Sequence, residues 1–152
     1  MKQKPIFSVI IPAYNEEKYL PACLKPLVNQ DFPREKYEVI VVDIVSIDKT
    51  PQIAKKFKVK LIKEPKKGLI RARQRVLKIA KGQYIAHTDA DCLVPKNWLS
   101  TIFKHFTENK NIIAVAGPTF STGQDFFSKF ILKNFVFINC LSTKILFNSL
   151  GF

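Results

Sequence analysis

Apolar runs begin near residues 7, 37, 59, 84 and 112, and between them lie stretches whose apolar residues recur at helical spacing. Strand followed by helix, repeated, is the pattern of right-handed βαβ units, so the chain is expected to build an α/β fold, a mostly parallel sheet with flanking helices. A core of that kind is within reach of 152 residues of which 47% are apolar.

Taken in order, Phe7 to Ile11 lies between Pro5 and Pro12 and reads as a strand buried on both faces, ended by Pro12. Leu20, Cys23, Leu24, Leu27 and Val28 form a helical stripe, with Pro21 in the first turn and Pro26 expected to bend or break it. Tyr37 to Asp43 is the second strand. Thr50 and Pro51 read as N-cap and first residue of a helix that buries Ile53, Ala54 and Phe57. Val59 to Ile62 is the third strand, and Leu69, Ala72, Arg73, Val76 and Ala80 share a helical face that ends near Gly82. The fourth strand, around Tyr84, Ile85 and Ala86, runs into Asp89 and Asp91, and Pro95 opens a helix with Leu99, Ile102, Phe103 and Phe106 on its buried side. Ile112 to Gly117 reads as a fifth strand.

Parallel strands present their carboxyl ends along one edge, which is where such sheets bind ligands. Tyr14, Asn15 and Glu16 follow the first strand, Asp43 closes the second, and Asp89 with Asp91 follow the fourth. Two carboxylates two positions apart in an extended segment point roughly the same way, and a divalent cation between them relieves their repulsion. Ligation by oxygen alone suits Mg²⁺ or Mn²⁺. An isolated Asp-x-Asp equally serves as a polar loop capping the next helix. Its convergence with the other strand ends favours the functional reading, in which acids take the base and ribose of a nucleotide and a metal takes its diphosphate.

Charge is unevenly spread. The formal net charge is +13, and residues 49 to 81 hold thirteen Lys or Arg against Glu64 alone. Such a field attracts phosphate-bearing ligands, anionic lipid or nucleic acid, or is simply a solvated face. Cys23, Cys92 and Cys140 show neither a Cys-x-x-Cys pair nor a His cluster, and read as reduced thiols in a cytoplasmic setting. The opening residues lack a signal-peptide pattern, and no long uncharged apolar stretch spans a membrane outright.

With those motifs in place the chain resembles the family-two inverting glycosyltransferases, whose nucleotide-sugar-binding domain has the GT-A type, Rossmann-like fold. "FSVIIPAYNEEKYLPACLKPLVNQDFP" is similar to that family's opening strand and P-x-Y-N-E loop, "EVIVVD" to its second strand, "GLIRARQ" to its G-x-x-x-A-R-N helix start, and "GQYIAHTDAD" to the strand leading into its Asp-x-Asp. The four motifs stand in the family's order. The resemblance implies a nucleoside-diphosphate sugar as donor, with Pro12, Tyr14 and Glu16 in the donor loop, Asp43 accepting from the base, Arg73 near the nucleotide, Asp89 at the ribose or a metal-bound water, and Asp91 on the metal. It also implies a possible lipid-linked or polysaccharide acceptor. The run after Asp43, "IVSID", keeps Ser46 and Asp48 but puts Ile44 and Val45 where the family is small and polar, so Val45 is strained if it must take positive φ.

The organisation expected is a donor-binding domain over residues 1–119 and an apolar, amphipathic C-terminal helix over 120–152, either interfacial at a membrane or packed on an acceptor half. The family's catalytic base lies beyond the point matching Phe152, so no residue is assigned to that role. Localisation at the cytoplasmic face of a membrane fits these readings. The alternatives are an inert nucleotide-sugar-binding module and a basic module for polyanions or nucleic acid. Nucleic acid is disfavoured because aromatics do not interleave with the Lys/Arg run.

Overall fold

Every residue of β1 (Phe7–Ala13) is buried, and the rest of the sheet is laid out around it. The computed structural model describes residues 4–66, 68, 75–109 and 111–117. Among these, β1 is flanked by β2 (Tyr37–Asp43) and β4 (Tyr84–His87), and β3 (Lys60–Lys63) lies outside β2, giving the order β3-β2-β1-β4. All three pairings are parallel, with Phe7 level with both Tyr37 and Tyr84 and Ala13 level with Asp43.

The central strands β1 and β2 are buried on both faces, which is why they are apolar with little alternation. Phe7, Val9 and Ile11 of β1 join Val39 and Val41 on one face, beneath α1 (Leu20–Leu27), α2 (Thr50–Lys56) and the start of α3 (Trp98–Glu108). Phe7 packs edge-on against Phe32 and Phe103 at centroid distances of 5.4 and 6.3 Å. On the other face Ile10, Ile40, Val42 and Ile44 meet Val76, from a stretch that is helical over residues 75–77. The chain divides into two units between Lys104 and His105. In the second, α3 finishes and the Ile112 N–H donates to the Asn109 carbonyl at 3.2 Å.

Several expectations change. β1 does not stop at Pro12 but continues to Ala13. β4 ends level with Ile10, and the last rung on that side is Thr88 N–H to the Ile10 carbonyl at 3.2 Å. Pro12 has the same strand parity as Ile10 and faces that vacated flank, so its missing N–H breaks no bond. The break expected at Pro26 falls one residue later, α1 ending at Leu27. The third strand is displaced by one residue, to Lys60–Lys63. α3 starts at Trp98, three residues past Pro95, because Gln30 fixes its beginning: Gln30 Oε1 accepts from Leu99 N–H at 3.0 Å and Nε2 donates to the Pro95 carbonyl at 2.9 Å. Ile112 to Gly117 forms no strand, since its backbone has no ladder partner among the described residues. An apolar run signals burial, not pairing. The 120–152 segment and the Leu69–Arg73 part of the third helical face lie outside the described residues.

Candidate functional site

Three strand ends build the carboxyl edge. β1 and β2 finish level at Ala13 and Asp43, and the loops that leave them are stitched together. Among the described residues, five hydrogen bonds cross between them: Asn15 N–H to Ser46 Oγ (3.0 Å), Glu16 N–H to Thr50 Oγ1 (2.8 Å), Glu17 N–H to Asp48 Oδ2 (2.9 Å), Ile47 N–H to Asn15 Oδ1 (2.9 Å) and Lys49 N–H to Glu17 Oε2 (3.0 Å). Asp48 also accepts from Thr50 N–H at 2.9 Å; Thr50 is the first residue of α2 rather than its N-cap, a position held by Lys49, and the Asp48 carboxylate serves the first helical N–H from outside. Burial works to raise the Asp48 carboxyl, but bonds from the Thr50 side chain and the backbone of Glu17 and Thr50 outweigh it and hold the group below the usual carboxylate range.

The clamp bends the chain through two left-handed residues, Asn15 at φ 54° and Val45 at φ 56°. Asparagine tolerates that region, whereas a β-branched residue there costs on the order of 1–2 kcal/mol. The substitution noticed in the sequence is therefore a strained position. Between them Asp43 is 3% exposed; its carbonyl accepts from Glu64 N–H at 2.8 Å and Oδ1 from Ser46 N–H at 3.2 Å.

The Asp-x-Asp loop is pinned from below. Had the β1–β4 ladder continued, Asp89 would stand level with Pro12. The Asp89 carbonyl instead accepts from Cys23 Sγ of α1 (3.4 Å) and from Cys92 N–H (3.2 Å), making a turn. Ala90 is 3% exposed and sits in the core, which explains a small residue between the acids and leaves Asp89 and Asp91 on the exposed side. Burial pushes the Cys23 thiol up to about 12, with Cys92 and the charges of Asp91, Asp89 and Glu16 adding to it. That thiol is a protonated donor, not a nucleophile.

Glu16 ties the two halves of the edge together electrostatically. Its carboxyl is raised first by burial and then by the charges of Asp91, Asp48 and Asp89. Carboxylates from the β1 and β4 loops thus share one field. Among the described residues no three His, Cys, Asp or Glu side chains group closely enough to hold a metal alone. That donor set fits a hard cation that takes one or two carboxylates and completes its shell with phosphate and water.

Of the residues expected at the site, Pro12, Tyr14, Glu16, Asp43, Asp89 and Asp91 all stand on or just beyond this edge, while Arg73 lies outside the described residues. Sequence reasoning missed Gln30, which anchors the far end of the Asp-x-Asp loop, and Thr50 as an acceptor for Glu16 N–H. It also missed a polar knot that sets the height of β4. Ser8 Oγ donates to Glu38 Oε1 (2.7 Å) and accepts from Gly82 N–H (2.8 Å), while Lys81 N–H donates to the same Glu38 oxygen (2.7 Å). A serine inside an apolar strand was the available signal.

A family model described as Glycosyl transferase family 2 matches residues 8–151. The chain is 39% identical over 99 residues to the poly(ribitol-phosphate) beta-N-acetylglucosaminyltransferase TarS of Staphylococcus aureus, covering 61% of this chain and 17% of that protein. A dolichyl N-acetyl-alpha-D-glucosaminyl phosphate 3-beta-D-2,3-diacetamido-2,3-dideoxy-beta-D-glucuronosyltransferase of Methanococcus voltae is 32% identical over 123 residues, 72% of this chain and 38% of that one. Among solved structures, TarS 1–349 with UDP-GlcNAc superposes with a TM-score of 0.64 at 31% identity, over 76% of this chain and 38% of that one. The mannosyltransferase PcManGT of Pyrobaculum calidifontis, with GDP-Man and Mn²⁺, gives 0.63 at 33% identity, over 68% and 33%. The chain therefore spans well under half the length of each.

Proposed function

The chain belongs to glycosyl transferase family 2, and on that premise we propose that its carboxyl edge binds a nucleoside-diphosphate sugar with a divalent cation for transfer of the sugar to an acceptor. The observation that carries this reading is the convergence of Asp89 and Asp91 on Glu16, whose carboxyl is raised by burial and then by the charges of Asp91, Asp48 and Asp89, a crowding of negative charge that a cation would relieve. Asp91, with Asp89, would hold Mg²⁺ or Mn²⁺, and the bound metal would neutralise charge developing on the departing diphosphate. Asp43, held at the end of β2 by its bond from Ser46, would accept from the base, and Tyr14, 44% exposed at the head of the clamp, would cover it. Pro12 and Arg73 are assigned to the same donor site.

The rigid clamp supports a binding role. Five bonds across two loops fix where Glu16 and Asp43 stand before a ligand arrives, so little ordering entropy is spent on binding. The relatives' names point to a polyol-phosphate polymer or a lipid-linked sugar as acceptor class, and a cytoplasmic membrane face suits either. Titration calorimetry with UDP-, GDP- and dTDP-sugars, with and without Mn²⁺, tests the donor reading. One nucleotide should bind at least about tenfold tighter with Mn²⁺, and Asp91→Asn should remove the difference. Affinity indifferent to both would sink it.

A further inference from the structure

The two edges of the sheet carry opposite chemistry. At the carboxyl edge the acids just described outnumber the exposed Lys18, Lys49, Lys63 and Lys66. At the amino edge every strand is entered through an exposed lysine: Lys4 ahead of β1, Lys36 ahead of β2, Lys58 ahead of β3 and Lys81 ahead of β4. The helices that run back across the sheet finish at the same edge, α2 with Lys55 and Lys56, and the stretch before β4 with Lys78. The acids there are few: Glu35, exposed beside Lys36, and Glu38. Glu38 accepts from Ser8 and Lys81 N–H and pairs with Lys60 Nζ at 3.8 Å. None of the four entry lysines pairs with an acid among the described residues.

We propose that this lysine-fringed amino edge is the face by which the protein rests on an anionic lipid bilayer, with the donor edge held away from the surface on the aqueous side. The height of the sheet, set by the seven residues of β1, separates the edges by roughly 20 Å. Clustered lysines near an anionic headgroup layer gain attraction additively and need no fitted pocket, which suits cations contributed by four separate chain entries. Two features favour a bilayer over a soluble polyanion. Leu77 and Ile79, 56% and 36% exposed, flank Lys78, and apolar side chains among lysines gain from the headgroup boundary but not from a polymer in water. Among the described residues the edge also offers no exposed stacking ring: Tyr37 is buried and covered by Arg34, 4.8 Å from its centroid, and Phe57 and Tyr84 are half-buried.

The proposal rests on the donor reading only for which edge faces away, and its test is separable from it. The full chain is sedimented with mixed phosphatidylglycerol–phosphatidylcholine vesicles and with phosphatidylcholine alone. It should bind the anionic vesicles, more weakly as salt rises. A variant with Lys4, Lys36, Lys58 and Lys81 each changed to Gln should lose on the order of a hundredfold or more in partitioning, at about fivefold per lysine. A charge-matched control with Lys18, Lys49, Lys63 and Lys66 changed to Gln should retain most of its binding. Equal losses in the two variants would overturn the proposal, because net charge would then be sufficient. Equally strong binding of soluble polyphosphate, competing fully with the vesicles and unaffected by Leu77→Gln in either case, would overturn it in favour of a polymer partner. Nucleotide binding by the amino-edge variant, measured in the same preparations, reports separately on the donor reading.

Discussion

Glu17 and Asp48 are joined across 31 positions of chain by a 2.9 Å bond from the Glu17 N–H to Asp48 Oδ2. The Glu17 carboxylate returns a bond to the residue after Asp48, accepting from Lys49 N–H at 3.0 Å. The donor loop of β1 is thus set by the residues that start α2, and a change in one is felt in the other.

Asp48 should therefore make the clamp acid-sensitive. Its folded carboxyl lies below the ordinary range, so the stability it contributes is present above the unfolded aspartate value and is lost as pH falls through the depressed folded value. Asp48→Ala should cost about 1–2 kcal/mol at neutral pH, the scale of a lost capping bond, and less in strong acid. Denaturation midpoints at the two pH values decide it; an equal cost at both would show that the charge is idle.

Val45 offers the opposite sign. Asparagine adopts φ near 56° far more readily than valine, and Val45 is 41% exposed, so little packing is lost. Val45→Asn is expected to stabilise the chain by about 1 kcal/mol, a rise of roughly 2–4 °C in Tm. A fall in Tm would mean that the side chain makes contacts that outweigh the strain.

Gly82→Ala should be severe. A Cβ there would stand 2.3 Å from Ser8 N and 2.5 Å from Phe7 C, both backbone atoms of the central strand. The entry to β4 would have to move off β1, breaking the Gly82–Ser8 bond and shifting everything the strand delivers. A loss of about 2–3 kcal/mol is expected from such overpacking, read by chemical denaturation. A loss under about 0.5 kcal/mol would show that the entry relaxes freely.

How much of this was legible in the sequence depended on whether the signal was local. Tyr37–Asp43 was read to the residue, because a long apolar run closed by an acid leaves little choice. The carboxyl edge followed from parallel topology alone, so Tyr14, Asp43 and Asp89 could be grouped without a distance between them. Pro12 was misread because the rule against proline in a central strand assumes a neighbour on both sides, and where β4 stops is a tertiary fact. Gln30 was invisible for the same reason, as its partners lie 65 and 69 positions away. Residues 112–117 show that apolarity alone does not supply a pairing edge.

Glu16 and Asp91 give a linked pair of measurements. The Glu16 carboxyl is raised by burial and then by Asp91, so the fold is penalised once Glu16 ionises, and stability declines as pH rises from the ordinary glutamate value through the raised one. Removing the Asp91 charge with Asp91→Asn should flatten that decline, and Mn²⁺ should raise the wild-type Tm most where Glu16 is charged. A pH profile unchanged by Asp91→Asn, leaving burial as the whole cause, would remove the electrostatic argument for a cation.

The early end of β4 leaves β1 standing three residues proud on one flank, Ile11 to Ala13, with the Asp-x-Asp turn opposite. Beyond Thr88 the chain leaves the ladder for that turn. At the position where the next rung would form, β1 has an imino acid. Pro12 therefore has no N–H to offer as that rung, a gap fixed by covalent structure and independent of temperature, salt or ligand, and replacing Pro12 would put a free donor at the sheet's own binding edge.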